Sequence, residues 1–279
     1  MGNVTSRMFR LDLTSISYQT ISLIIHIMEF VTTSSCLSRM FSRNKSLFIA
    51  CLMAFATFAF AEGVDPKIFL QEMVDELSKK WPHNRTIRIV CHGHSVPAGF
   101  FKTPKVDTFN AYPHLMHVGL KERFPHAVIN VIVTAIGGEN SVRGAERFEA
   151  EVLTHRPDFL LIDYALNDRG VGLEKARAAW ISMIQQAQSR NIKVILLTPT
   201  GDHRAELNDP DDPLNQHAAQ IRDLAKEYEV GLVDSLQLFK DYINAGHPLD
   251  DLMSQVNHPN RKGHDIVTRA LLDWFLMVD

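Results

Sequence analysis

Long apolar runs, linkers, repeats and an excess of one charge are all scarce in this chain, and each scarcity narrows what it can be. The 29 Lys and Arg are set against 32 Asp and Glu, a formal net charge of -3, so nothing in the balance draws the chain toward nucleic acid. There are only three cysteines, Cys36, Cys51 and Cys91. Two lie in an N-terminal stretch read below as removed, which leaves Cys91 without an internal disulfide partner. A core of this size folds without disulfides, so the low count does not exclude an oxidising compartment. No internal repeat, low-complexity segment or second domain is evident. No carboxylate or cysteine cluster accompanies His92 and His94, so no metal is expected. With 46% hydrophobic and 22% charged residues, what is left is a globular protein with one main domain.

What is present begins with a processing pattern. Arg43 and Lys45 form a positive segment, Ser46 to Phe60 is apolar and uncharged, and Ala59-Phe60-Ala61 fits a small-x-small cleavage site. Residues 40–61 therefore read as a signal peptide, with Glu62 the first mature residue and a secreted or periplasmic location. The apolar run is short for a membrane span, and Phe48 fits poorly before a lipoprotein cysteine at Cys51. No stable membrane insertion is expected once the signal is gone. Residues 1–39 read as an over-extended start ahead of Met40. The competing reading makes Ile21 to Val31 part of an anchor, and the presence of His26 and Glu29 counts against it.

From Glu62 onward, apolar runs alternate with amphipathic segments. Strands are expected at 87–91, 127–135, 158–164, 193–198 and 230–234. Helices are expected at 66–81, 109–124, 141–154, 173–190, 214–228 and 261–276. Several strands are unbroken apolar runs, the mark of strands covered on both faces. The pattern gives a three-layer α/β/α sandwich around a five-stranded parallel sheet.

The polar residues that could carry chemistry fall just after strand ends, where such sheets place their sites. Ser95 follows the first strand in a Gly-His-Ser turn. Gly137-Gly138 follows the second, Asn167 the third, and His258 precedes the last helix. Serine early, amide donor in the middle and histidine last is an order that hydrolytic chemistry can use. Each has an ordinary alternative: a capping serine, a turn glycine, an Asx-turn asparagine, a histidine before a helix-starting Pro259.

Taken together, the four blocks resemble the SGNH hydrolases, the GDSL-type esterase and lipase superfamily, from about Thr86 to Phe275. The resemblance implies a flavodoxin-like fold and an ester hydrolase with no cofactor. Ser95 would be the nucleophile and His258 the base. The N–H groups of Ser95 and Gly138 and the Asn167 amide would form an oxyanion hole. Gly137 is the alternative to Gly138. The habits of exported relatives favour a small acyl ester, such as an O-acetyl group on a carbohydrate. A lipase or thioesterase of the same fold is the next reading, and a non-catalytic carbohydrate-binding or cell-surface protein the third. Phe100 and Phe101, just past the nucleophile, are candidates to wall an acyl or sugar pocket. The chain departs from the family pattern at three places. His94 stands where an aspartate usually precedes the serine, Ala165 where a glycine precedes the asparagine, and Gln255 where an aspartate stands three residues before the histidine. Gln255 could accept a hydrogen bond from the imidazole but supplies no charge. Asp250 and Asp251 are the nearest carboxylates that could replace it.

Overall fold

The computed structural model describes residues 63–276. The expected signal peptide, 40–61, and the expected over-extended start, 1–39, lie outside the described residues.

Five strands form one parallel sheet: β1 (Thr86–Gly93), β2 (Val128–Val133), β3 (Phe159–Asp163), β4 (Lys193–Leu197) and β5 (Gly231–Val233), in the order β2-β1-β3-β4-β5. β3 is buried along its whole length and β4 all but its first residue. That is why both read as continuous apolar runs. β2 lies at the sheet edge, and only Ile129 of it is buried.

The helices of eight residues or more are α1 (Gln71–Ser78), α2 (Tyr112–Arg123), α3 (Leu173–Gln188), α4 (Pro213–Glu227), α5 (Ser235–Asn244) and α6 (Arg261–Leu272). Ile87, Ile89, Cys91, Phe159, Leu161 and Ile195 face one apolar layer, with Leu77 of α1, Met116 of α2, Phe239 of α5 and Leu271 of α6. Val90, Leu160, Ile162, Val194 and Leu196 face the other, with Trp180 and Ile184 of α3 and Leu224 of α4. The period-two alternation of strand side chains produces these two layers, and the result is the three-layer sandwich expected.

The differences from expectation are local. The helix expected at 66–81 is two pieces, Pro66–Phe69 and α1. The one expected at 141–154 breaks into Ser141–Glu146, Phe148–Glu151 and a 3₁₀ turn. Its cap is the Asn140 side chain, which accepts from the Arg143 N–H. Helix α5 was not anticipated, although Asp234 caps it from the end of β5. Neither was the small antiparallel pair β6 (Met253–Gln255) and β7 (His258–Pro259) just before α6.

Candidate active site

The end of β1 builds the first part of the site. A Cβ on Gly93 would sit 2.5 Å from the Asp163 carbonyl oxygen of β3, so only glycine lets the two strand ends approach here. Ser95 then opens a four-residue helix, Ser95–Ala98. His94 is its cap: Nδ1 accepts the Val96 N–H at 3.1 Å. The imidazole lone pair thus does what a capping carboxylate oxygen does elsewhere, which explains why histidine is tolerated in place of the expected aspartate. With Nδ1 accepting, the ring proton is on Nε2, which lies 3.2 Å from Asp163 Oδ1 but off the line of a hydrogen bond. Asp163 also accepts from the Tyr112 hydroxyl.

β2 continues alongside this turn. Thr134 N–H donates to the Cys91 carbonyl and Ile136 N–H to that of Gly93, which brings Gly137 and Gly138 beside the Ser95 turn. The two glycines differ in purpose. Gly138 has φ +77°, and a Cβ there would meet nothing, so the backbone conformation requires it. Gly137 needs space instead, because a Cβ would meet the Phe100 ring at 2.5 Å. Asn167 lies on a short helix after β3, Ala165–Asp168. Its Nδ2 donates to the carbonyl of Glu139, next to Gly138, at 2.9 Å, with a second hydrogen left to point elsewhere. Asp168 accepts from the Ser141 N–H and from Trp180 Nε1, both at 2.7 Å, and so ties the glycine segment to the asparagine segment. Burial raises its carboxyl, against the pull of those donors.

His258 arrives on β7. Its Nε2 is 3.0 Å from Ser95 Oγ, across 163 residues of sequence. Asn260 seats this strand: its side-chain oxygen caps α6 through the Gly263 N–H, and its amide donates to the Asp251 and Met253 carbonyls. On the far side of the ring, Nδ1 has two neighbours, the Phe101 carbonyl at 3.1 Å and Gln255 Nε2 at 2.6 Å. Gln255 therefore meets His258 as expected, but with its amino group, while its oxygen accepts from the Thr103 N–H. Asp250 is paired with His203, and Asp251 bonds Tyr242 and Lys262. Neither reaches His258. The imidazole is held below its ordinary 6.5, chiefly by burial and also by His94, with the Phe101 carbonyl pulling the other way.

Sequence reasoning missed two elements. One is the Phe101 carbonyl, which no side-chain pattern can signal. The other is a buried network behind the glycine segment. Arg147 Nε holds both oxygens of Glu139, the Tyr164 hydroxyl donates to Glu139 at 2.8 Å, and His92 Nε2 lies 3.1 Å from that hydroxyl. His92, lowered to about 4 mainly by burial, belongs to this network. His264 is likewise structural: wholly buried and lowered to about 3, it accepts the Tyr112 N–H at the start of α2. Among the described residues no three His, Cys, Asp or Glu side chains converge so as to hold a metal ion.

A hydroxyl at the carboxyl edge of a parallel sheet, an imidazole 3.0 Å from it and a glycine turn tied to an amide define the class of protein: an ester hydrolase built on a three-layer α/β/α sandwich. The GDSL-like lipase/acylhydrolase family matches residues 91–266, well over half the chain, and the chain belongs to that family. It is 26% identical to an acetylxylan esterase of Geobacillus stearothermophilus over 169 residues, 56% of this chain and 76% of that one. Among solved structures, a two-domain esterase active on acetylated mannans superimposes with a TM-score of 0.63 at 19% identity, covering 77% of this chain. This chain spans only 53% of that esterase. An acetylxylan esterase from Geobacillus stearothermophilus superimposes with a TM-score of 0.60 at 20% identity, over 69% of this chain and 95% of the other.

Proposed function

We propose that this protein is an exported serine esterase that removes small acyl groups, acetyl foremost, from carbohydrate. The observation that carries the reading is the 3.0 Å approach of His258 Nε2 to Ser95 Oγ. Ser95 Oγ attacks the ester carbonyl carbon as its proton passes to Nε2. The Ser95 and Gly138 N–H groups and the Asn167 amide take the charge that develops on the carbonyl oxygen. The bond to the sugar oxygen then breaks, that oxygen takes the proton from His258, and an acyl-serine remains. Water repeats the sequence with His258 as base, and carboxylate and free serine result.

Two observations support a small acyl group on a sugar. The Phe100 ring packs over Gly137 and lies 5.9 Å from the His258 ring, so it flanks the space where the ester would sit. The relatives are named for acetylated xylan and mannan. Export rests on the charge and apolar pattern of residues 40–61. Acetylated xylo- and manno-oligosaccharides incubated with the protein should release acetate. Release only from long-chain p-nitrophenyl esters would favour the lipase reading, and sugar binding without any release the binding-protein reading.

The depressed His258 sets the pH dependence. Accepting the Ser95 proton requires a free Nε2 lone pair, which protonation removes. kcat/KM should therefore be flat at neutral pH and fall only as pH drops through a value below 6.5. A kcat/KM profile between about pH 4 and 8 checks this; an acid limb centred above 6.5 would mean that the surroundings stabilise imidazolium after all.

A further inference from the structure

His258 Nδ1 stands between two partners that demand opposite things of it. The Thr103 N–H, which can only donate, reaches Gln255 Oε1 at 3.0 Å, and the Thr103 hydroxyl lies 3.3 Å from the same oxygen. This fixes the turn of the amide, so its NH₂ group faces Nδ1 at 2.6 Å. An amide NH₂ donates and does not accept. Against it, Nδ1 must be the bare nitrogen, and the ring proton then sits on Nε2, pointing at Ser95 Oγ. In that tautomer the imidazole cannot take the serine proton. The Phe101 carbonyl, 3.1 Å from the same Nδ1, can only accept. It selects the other tautomer, with Nδ1 protonated and Nε2 free.

We propose that Gln255 is a restraint on the base: a positioning residue that holds His258 in the tautomer unable to accept the Ser95 proton, which the Phe101 carbonyl counteracts. This rests on the reading of Ser95 and His258 given above. Each chemical step passes through an imidazolium whose Nδ1–H needs an acceptor. The carbonyl supplies it, and the Gln255 amino group must turn away. Thr103 is exposed, so water can take over its N–H when the amide turns. The carbonyl comes from a tight hairpin between Gly99 and Asp107, closed by the Phe101 N–H to the Lys105 carbonyl and the Asp107 N–H to the Gly99 carbonyl. The acceptor therefore depends on how this hairpin is seated. The titratable groups acting on His258 are His94 beneath the nucleophile and His264 of α6. Neither bonds Nδ1, and among the described residues no carboxylate does.

Gln255→Glu tests the idea with almost no change of shape. Its two oxygens accept from the Thr103 N–H and from Nδ1–H at once. An amide in place of an orienting carboxylate can lower kcat by about 10⁴ through the wrong tautomer; with the carbonyl already offsetting part of that, kcat on p-nitrophenyl acetate should rise at least about tenfold. KM should hardly move, and the acid limb should shift to higher pH. Gln255→Ala removes the donor and leaves the carbonyl, so kcat should rise a few-fold. Nitrogen-15 NMR of the labelled imidazole reads the tautomer directly: protonated Nε2 in the wild type, protonated Nδ1 in both variants. A fall or no change in kcat for Gln255→Ala, or a wild-type ring already protonated at Nδ1, overturns the proposal. A wild-type protein without esterase activity would instead sink the functional reading, and the NMR result would still decide this one.

Discussion

Ser95→Ala should reduce kcat for p-nitrophenyl acetate by at least about 10⁴, with the protein still folded. Losing the nucleophile of a serine hydrolase lowers kcat by up to roughly 10⁶, and what is left comes from the oxyanion donors and binding alone. The side chain is nearly buried, with His258 and its own short helix around it. Removing one hydroxyl leaves a small gap and one unpaired imidazole nitrogen, so Tm should move little. Burst kinetics with the wild type would show the acyl-serine directly. Activity that persists in Ser95→Ala would put the nucleophile elsewhere. Inactivity of a folded wild type on p-nitrophenyl acetate would point to a narrower substrate or to binding without turnover.

The largest effect on stability is expected away from the nucleophile, in the pair behind the glycine segment. The Arg147 and Glu139 side chains are 12% and 8% exposed, and Arg147 also reaches Glu151 and the Tyr164 hydroxyl. Arg147→Ala leaves the Glu139 carboxylate buried beside Tyr164 without its counter-ion, a loss that typically costs about 3–5 kcal/mol. For a domain of this size that is a fall in Tm of roughly 6–20 °C. The Glu139 carbonyl holds the Asn167 amide, so kcat should drop as well. The double variant Glu139→Gln with Arg147→Met removes both charges and should recover most of the lost Tm, because an uncompensated charge is worse than none. If the double variant melts no higher than Arg147→Ala, the pair stabilises by packing and not by charge.

The strands that sequence reading placed best are those whose burial leaves least choice. β3 and β4 are covered on both faces, so their residues had to be apolar throughout. Position after a strand end likewise made Ser95, Gly138 and Asn167 readable as a group, since in a parallel sheet those ends share one edge, while His258 was marked by its place just before the last helix. Helix α5 and the β6–β7 pair were not legible. β6 and β7, of three and two residues, are too short for periodicity to register, and α5 follows β5 after the single residue Asp234, so no loop signal sets it apart from the strand. His94 shows the limit from another side. It departs from the family pattern, yet its ring nitrogen caps the helix turn that Ser95 opens, as a carboxylate oxygen could.

What the sequence by itself determined is therefore the layer architecture, the family and the four polar positions, because burial and strand ends act on residue type and spacing alone. The tertiary structure decided what surrounds the base. Gln255 could be read as an acceptor until the Thr103 N–H, 152 residues away in sequence, turned its amide around. The Phe101 carbonyl belongs to the backbone, which every residue carries, so only the seating of the 99–107 hairpin makes it a partner of His258. The direction of a hydrogen bond depends on all the neighbours of both groups, and those neighbours are assembled only by the fold.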